Sequence, residues 1–287
     1  MKKCFLGLLT CLLCVCAYGQ RNGLYYLDKQ YEEDPYDELT YFYSGGNYRS
    51  NNVYLGRKDS VKLPYISPFI GYQLHNGLYA KATASYALTK TGHFDLLALE
   101  AGYDRNLGRH ILTGIWVEKY FYQRNSPSVK AAIKESGTIY CQYKNKKVEP
   151  TISITINHNN STDFVVGAGL GHNFRFISNT LNLIPAITFY AGSQHYYDEY
   201  FINRALKQDK SIPISAAVQN AGAYKPLDVE LSAKTTFRAN TWFFTVTPTY
   251  CVPLSPATII LPYRTVQEHL KSSLYIEIDA CHRHERK

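Results

Sequence analysis

The chain has 287 residues, 45% of them hydrophobic and 19% charged, with a formal net charge of +8. That length suits one large β domain, and the mild basic excess forms no clustered stripe, so nucleic acid is not an expected partner. No segment beyond the first twenty residues holds 18 consecutive apolar residues, which excludes a transmembrane helix.

At the N-terminus, Lys2 and Lys3 precede an apolar run from Phe5 to Ala17, and Ala17-Tyr18-Gly19 places small residues at a cleavage site. This pattern predicts a secretory signal peptide over 1–19, too short to span a bilayer. A lipoprotein signal is the alternative, but Thr10, Leu13 and Val15 stand before the candidate cysteines, where a lipidation box wants a small residue. Removal of the two lysines lowers the charge from +8 to +6. Residues 20–38 follow as an acidic, aromatic extension without a clear period, read as solvated; a plug inside a barrel is the alternative. Cys141, Cys251 and Cys281 remain beyond the signal. Three scattered cysteines without a Cys-x-x-Cys pair predict neither a disulfide scaffold nor a zinc site, and no cofactor is expected.

Residues 39–287 read as a series of strands. One strand lies somewhere between Leu39 and Arg57, and Leu63 to Leu74 then meets the hairpin signal Asn76-Gly77. Leu78 to Leu88, Phe94 to Arg105 and Ile111 to Tyr122 follow, then Gly137 to Lys144 and Val148 to His158. Within the last of these, Thr151 to Asn157 reads Thr-Ile-Ser-Ile-Thr-Ile-Asn, an oily face and a polar face with the strand period of two. Asp163 to Phe176, Leu181 to Ala191, Pro226 to Arg238, Thr241 to Val252 and Ser272 to Cys281 complete twelve. In the tenth, Leu227, Val229, Leu231 and Phe237 alternate with Asp228, Glu230, Lys234 and Arg238.

The links between strands separate by length. Links 75–77, 106–110, 145–147, 178–180 and 239–240 are short, whereas the alternate links are longer or more varied: 89–93 and 159–162 are brief, but 123–136, 193–225 and 253–271 are long and all fall on the other rim. An outer-membrane barrel has short periplasmic turns, long outer loops and an even strand count. Dropping two weaker strands leaves ten and moves one long link to the wrong rim, so twelve is preferred. With the apolar face outward, Lys81, Glu100, Asp104, Glu118, Arg175, Asp228, Glu230, Lys234, Arg238, Glu277 and Asp279 line the lumen, as does Lys144. So many ionisable groups in a dry sandwich core would carry a large desolvation cost, while a hydrated lumen accepts them. Lys119 faces outward near a strand end and is expected to snorkel. Aromatic residues sort into two outward girdles: Phe174, Phe176, Phe237 and Trp242 on the short-turn side, Tyr86, Phe121 and Tyr250 on the long-loop side. The 26 tyrosines suit bilayer interfaces; a carbohydrate-binding surface is the rival explanation.

Few groups suggest chemistry. His158 with Asn157 and Ser161 has the residue types of a lipid-facing hydrolase, in which His deprotonates Ser and Asn orients the ring. Asn157 however faces the lumen and Ser161 lies in a turn, so no catalytic residue is assigned. His195, Asp198 and Glu199 offer a cation site in an outer loop; a short amphipathic helix from Tyr197 to Lys207 is the preferred alternative. His282 and His284 read as part of a solvated basic tail. The alternating Gly167, Gly169 and Gly171 permit curvature or close packing inside the lumen. A binding function is expected in loop 193–225, on His195, Tyr196, Tyr197, Tyr200 and Arg204.

The segments Ser67-Pro68-Phe69-Ile70-Gly71-Tyr72-Gln73-Leu74-His75-Asn76-Gly77-Leu78-Tyr79, Glu100-Ala101-Gly102-Tyr103-Asp104 and Tyr120-Phe121-Tyr122 resemble Gram-negative outer-membrane β-barrel proteins of uncharacterised function. The resemblance implies an all-β fold, an outer-membrane location and insertion by the barrel-assembly machinery among outer-membrane lipid. It supplies no functional residues. One departure is the C-terminus, which ends Cys281-His282-Arg283-His284-Glu285-Arg286-Lys287 instead of on an aromatic residue. The expected function is a non-enzymatic channel, narrow or gated, or a surface-exposed structural or binding protein taking a small solute or surface ligand. A lipid-acting hydrolase in the same wall and a soluble periplasmic β-sheet binding protein are the alternatives.

Overall fold

In the computed structural model, residues 40–58, 62–89, 92–124, 126–145, 147–177, 180–198, 200, 217–261 and 264–285 are described below. Twelve antiparallel strands form the wall: β1 (Tyr41–Arg49), β2 (Tyr65–Gln73), β3 (Leu78–Ala87), β4 (His93–Leu107), β5 (Ile111–Tyr122), β6 (Glu135–Tyr143), β7 (Glu149–His158), β8 (Thr162–Gly171), β9 (Leu181–Gly192), β10 (Lys225–Ala239), β11 (Trp242–Pro253) and β12 (Ser273–Glu285). Each pairs with its neighbours in sequence, and β1 closes on β12 from Tyr41↔Glu285 to Arg49↔Glu277. Closure removes every open edge. The segments read as a signal peptide and an acidic extension, together with Glu199 and Arg204, lie outside the described residues.

The apolar face of this wall is the outside. Ile66, Ile70, Leu99, Val117, Ile154 and Leu231 are each exposed, although they are the oily members of their strands. A soluble sandwich would bury them. Aromatic rings flank the band on both sides, Phe42, Tyr72, Phe237 and Trp242 below, Tyr86, Phe94, Phe121 and Tyr250 above. From Trp242 to Tyr250 the outward face climbs about 26 Å along the strand, at about 3.3 Å per residue. A tilted strand needs about 9–11 residues to cross the hydrocarbon, and those here have 9 to 15.

Two bulges break the alternation, and the second corrects a face assignment made from periodicity. Between β3 and β4 the register jumps from Ser85↔Leu96 to Tyr86↔Phe94, leaving Asp95 unpaired. The extra residue reverses parity, so Phe94 joins the outer girdle while Asp95 is fully buried inside. Between β9 and β10 the register jumps from Tyr190↔Asp228 to Ala191↔Pro226. Leu227, expected on the lipid side, is instead fully buried beneath the loops next to the buried Asp228.

The ends of two strands also differ from expectation. The eighth strand breaks at His172-Asn173, and 174–176 continues as a separate ladder on β9. The twelfth runs to Glu285 instead of stopping at Cys281. His282 and His284 are therefore wall residues: His282 Nε2 bonds Thr241 Oγ1 at 2.9 Å and His284 Nε2 bonds Ser44 Oγ at 3.0 Å. Lys119 ion-pairs with Glu135 across the β5–β6 ladder, both side chains exposed.

Inside, large rings lie over glycines on the neighbouring strand. Tyr43 pairs with Gly71 and Tyr79 with Gly102. A Cβ on Gly71 would sit 2.2 Å from Tyr43 Cζ, and one on Gly102 2.6 Å from Tyr79 Cζ. Only a glycine lets the ring lie flat on the wall, which keeps the lumen open.

Candidate functional site: a lumen closed by a loop core

The lumen contains a cavity of about 620 Å³ walled by β1 to β5 and β12. It extends from Tyr41, Gln73 and Arg283 at the short-turn rim up to Tyr65, Tyr122 and Lys130 under the long loops. Of the charged residues expected inside, Lys81, Glu100, Asp104, Glu118, Glu277 and Asp279 line it. They occupy it in pairs: Lys81 Nζ lies 3.2 Å from Glu100, Arg49 Nε lies 2.7 Å from Glu277, and Asn47 donates to Asp279 at 2.7 Å. Asp104 accepts from Tyr140 Oη at 3.0 Å.

The other six lie elsewhere. Lys144 Nζ donates to Asn106 Oδ1 at 2.7 Å, beside the short-turn rim. Asp228 is fully buried and Glu230 half-buried higher on β10, while Lys234, farther down the strand, is exposed. Arg238 stacks on Phe243, 5.4 Å from the ring centroid, and Arg283 caps the same ring at 4.3 Å. Arg175 is buried, close enough to Glu149 for their charges to interact. A second cavity of about 220 Å³ lies against β7 to β9, where the glycine row Gly167, Gly169 and Gly171 forms its floor.

Above the lumen the long loops build a core of their own. Leu55 from the first loop, Val129, Ala132 and Ile133 from the third, Tyr196, Tyr197, Tyr200, Val218 and Ala221 from the fifth, and Ala257 from the last pack into one buried cluster. Wall residues Ala98, Tyr120, Val165 and Leu227 complete it. The alternation of strands gives no hint of this element, because its residues are dispersed over four links. A hairpin, 53–54 with 57–58, turns through Leu55 and Gly56, both at positive φ. That is the two-residue turn whose twist matches a hairpin. It drives the tip against Pro253 and Asp228: a Cβ on Gly56 would meet them at 2.8 and 3.1 Å.

Arg57, at the base of that tip, is 1% exposed and ties three loops together. Its Nη2 donates to Gln194 Oε1 and to the Ser255 carbonyl, both at 2.9 Å, and lies 3.5 Å from Glu268 Oε2. The guanidinium sits 4.6 Å from the Tyr197 ring centroid. Tyr197 Oη in turn donates to Glu268, and Glu268 accepts the Ala257 amide at 2.9 Å. Sequence reading missed Arg57; its one local signal is the Leu-Gly turn before it.

The fifth loop is anchored by Asp163 at the top of β8. Its carboxylate accepts from the backbone N–H groups of His195 and Tyr196, each at 2.7 Å, from Ser193 Oγ at 2.6 Å, and stands 3.0 Å from His195 Nδ1. This caps a helical turn that begins at His195 rather than Tyr197. The tyrosines expected on an exposed binding surface are therefore buried inside the loop core: Tyr196, Tyr197 and Tyr200 are 2%, 5% and 9% exposed. Burial pushes the Tyr196 hydroxyl up to about 12 and raises the Asp198 carboxyl, which accepts the Val218 amide. Asp198 thus serves the loop and His195 serves Asp163, so the two do not converge as cation ligands. From the third loop Lys130 reaches down to Tyr120 Oη at 2.7 Å, and burial lowers its amine.

The hydrolase residues are not assembled. His158 is exposed and bonds Thr162 Oγ1 at 3.1 Å, whereas Asn157 points inward and donates to Tyr54 Oη at 2.8 Å. Neighbours on a strand face opposite sides, so this Asn cannot orient this His.

No protein-family model and no curated protein matches the chain. Among solved structures it is similar to a NanC porin, with 11% identity, TM-score 0.47, and coverage of 84% of this chain and 98% of the porin. It is also similar to a KdgM porin (6% identity, TM-score 0.46, 85% and 98% coverage). LpxR from Salmonella typhimurium matches at 9% identity and TM-score 0.46, over 84% and 99%. These neighbours are outer-membrane β-barrel proteins. The likeness is one of fold and says nothing of what this chain does.

Proposed function

We propose that this chain is a non-enzymatic outer-membrane channel gated by its own loops. One observation carries the reading: a charged cavity runs the height of the wall and ends beneath a buried loop core held by Arg57. A merely structural barrel has no need of ring-over-glycine pairs that keep its lumen clear, nor of paired charges along it. The exposed apolar band and its two aromatic girdles support insertion among outer-membrane lipid, and that location requires the barrel-assembly machinery as a partner. The solute is small enough to share the lumen with Lys81, Glu100 and Glu118 and polar enough to replace water there.

Planar-bilayer recording of the purified protein tests this. The wild-type chain is expected to stay closed for most of the time, with brief openings. Deletion of residues 198–221 removes part of the loop core and should give a larger and steadier conductance. A folded deletion variant that conducts no better than wild type would refute gating by these loops.

A further inference from the structure

A second polar cluster lies where the hairpin tip meets the wall. Asp228 and Glu230 are two residues apart on β10 and share its inward face, and Cys251 on β11 stands directly opposite Glu230 in the ladder. The register therefore brings two carboxylates and a thiol together. One ligand atom from each lies within 4.8 Å of the others. Asp228 and Cys251 are both 0% exposed. The Cys251 thiol donates to Asp228 Oδ2 at 3.0 Å, while Asp228 Oδ1 is buried without a hydrogen-bond partner. A buried carboxylate oxygen left this way costs free energy unless something binds it. Gly56 closes the cluster from above, with no room for a side chain there.

We infer that Asp228, Glu230 and Cys251 form a binding site for a divalent transition-metal ion, with zinc the best fit. The donor set decides the class. Calcium and magnesium take all-oxygen ligands, whereas a thiolate with carboxylates suits zinc or its spectroscopic substitute cobalt. Metal–sulfur and metal–oxygen bonds are about 2.3 and 2.0–2.2 Å, so three donors already within 4.8 Å need only close inward. On binding, the proton on Sγ leaves to water and the sulfur coordinates as thiolate, so uptake weakens at low pH. Three protein ligands leave a fourth position for water. The ion would pin β10 and β11 directly under the tip of the hairpin that carries Arg57.

Cobalt titration of the purified, metal-free full chain provides the test. The expected result is about one equivalent bound, with a sulfur-to-cobalt charge-transfer band and tetrahedral visible bands, both displaced by zinc. Cys251→Ser should abolish the charge-transfer band and weaken binding by more than about tenfold, and Glu230→Gln should weaken it comparably. His282→Ala with His284→Ala removes the histidine pair at the opposite, short-turn end of β12 and should change nothing. Heat-modifiable gel mobility verifies that each variant has folded. Absence of a charge-transfer band in folded wild type, or a band that survives Cys251→Ser, would overturn the assignment. The first means that Cys251 stays a thiol bonded to Asp228 and that the cluster takes no metal. The second places the metal adventitiously on Cys141 or Cys281.

Discussion

Replacing Arg57 by Ala is the most direct challenge to loop gating. Its two 2.9 Å bonds reach Gln194 and the Ser255 carbonyl, and a third contact reaches Glu268 at 3.5 Å. Hydrogen bonds to a charged group are each worth about 1.5–3 kcal/mol, and the stacking on Tyr197 adds about 1 kcal/mol. The effects are not additive, and truncating one partner of a buried pair costs about 3–5 kcal/mol, mostly because the other partner stays buried and unpaired. Here the stranded groups are Gln194 and Glu268, on two separate loops. The wall keeps its full hydrogen-bond ladder, so the loss falls on the closed state of the mouth. At 1.4 kcal/mol per decade, about 3 kcal/mol raises the open-to-closed ratio about a hundredfold. Single-channel recording in planar bilayers reads this as open probability. Arg57→Lys, which keeps the charge but loses the planar fork, should fall between wild type and Arg57→Ala. If folded Arg57→Ala shows the open probability of wild type, the Arg57 contacts do not hold the mouth shut.

Three further outcomes follow from the same geometry. In the open Arg57→Ala background, Gly71→Ala should lower unit conductance, because a Cβ 2.2 Å from Tyr43 Cζ expels that ring into the lumen; overpacking of this kind also costs about 1–3 kcal/mol of stability. In a chain with Cys141, Cys251 and Cys281 changed to Ser, cysteines at Lys81 and Glu100 should react with a water-soluble reagent in membranes while those at Val117 and Ile154 are protected, and the opposite pattern would reverse the faces of the wall. Burial raises the Asp198 carboxyl, so its neutral form supports loop closure in full below the ordinary carboxylate pKa, and that support is lost as pH rises through the raised value. Protease nicking of the fifth loop should therefore increase with pH in wild type more than in Asp198→Asn, and equal slopes would remove Asp198 as the cause.

The wall was legible from periodicity and the loop core was not. Thr151 to Asn157 and Ser67 to Tyr79 carry their faces in a period of two, and short turns such as Asn76-Gly77 mark where strands reverse. Twelve strands, an apolar outside and one rim of long loops follow from those local signals. The scattered cysteines pointed to no disulfide scaffold, and in the barrel Cys251 and Cys281 stand opposite Ser273 and Phe243, eight residues apart along β11, neither of them bridged. Parity failed only where a bulge inserted one residue, at Asp95 and at Leu227, since nothing in a local pattern announces an extra residue.

The site belongs to long-range packing. Arg57, Gln194, Ser255 and Glu268 come from three loops separated by up to about two hundred residues, and only closure of β1 on β12 brings those loops over one mouth. For the same reason Tyr196, Tyr197 and Tyr200 read as an exposed binding surface in a polar loop, whereas the neighbouring loops offer them Leu55 and Ile133, and the wall beneath offers Leu227, to pack against. Asp228 and Glu230 were assigned inward by alternation, but their meeting with Cys251 depends on the β10–β11 register. Sequence alone determined which side of each strand is oily, because that is a local, two-residue property. What covers the mouth and what converges inside were decided by tertiary structure, because burial of a loop depends on the surfaces that a closed barrel brings to it.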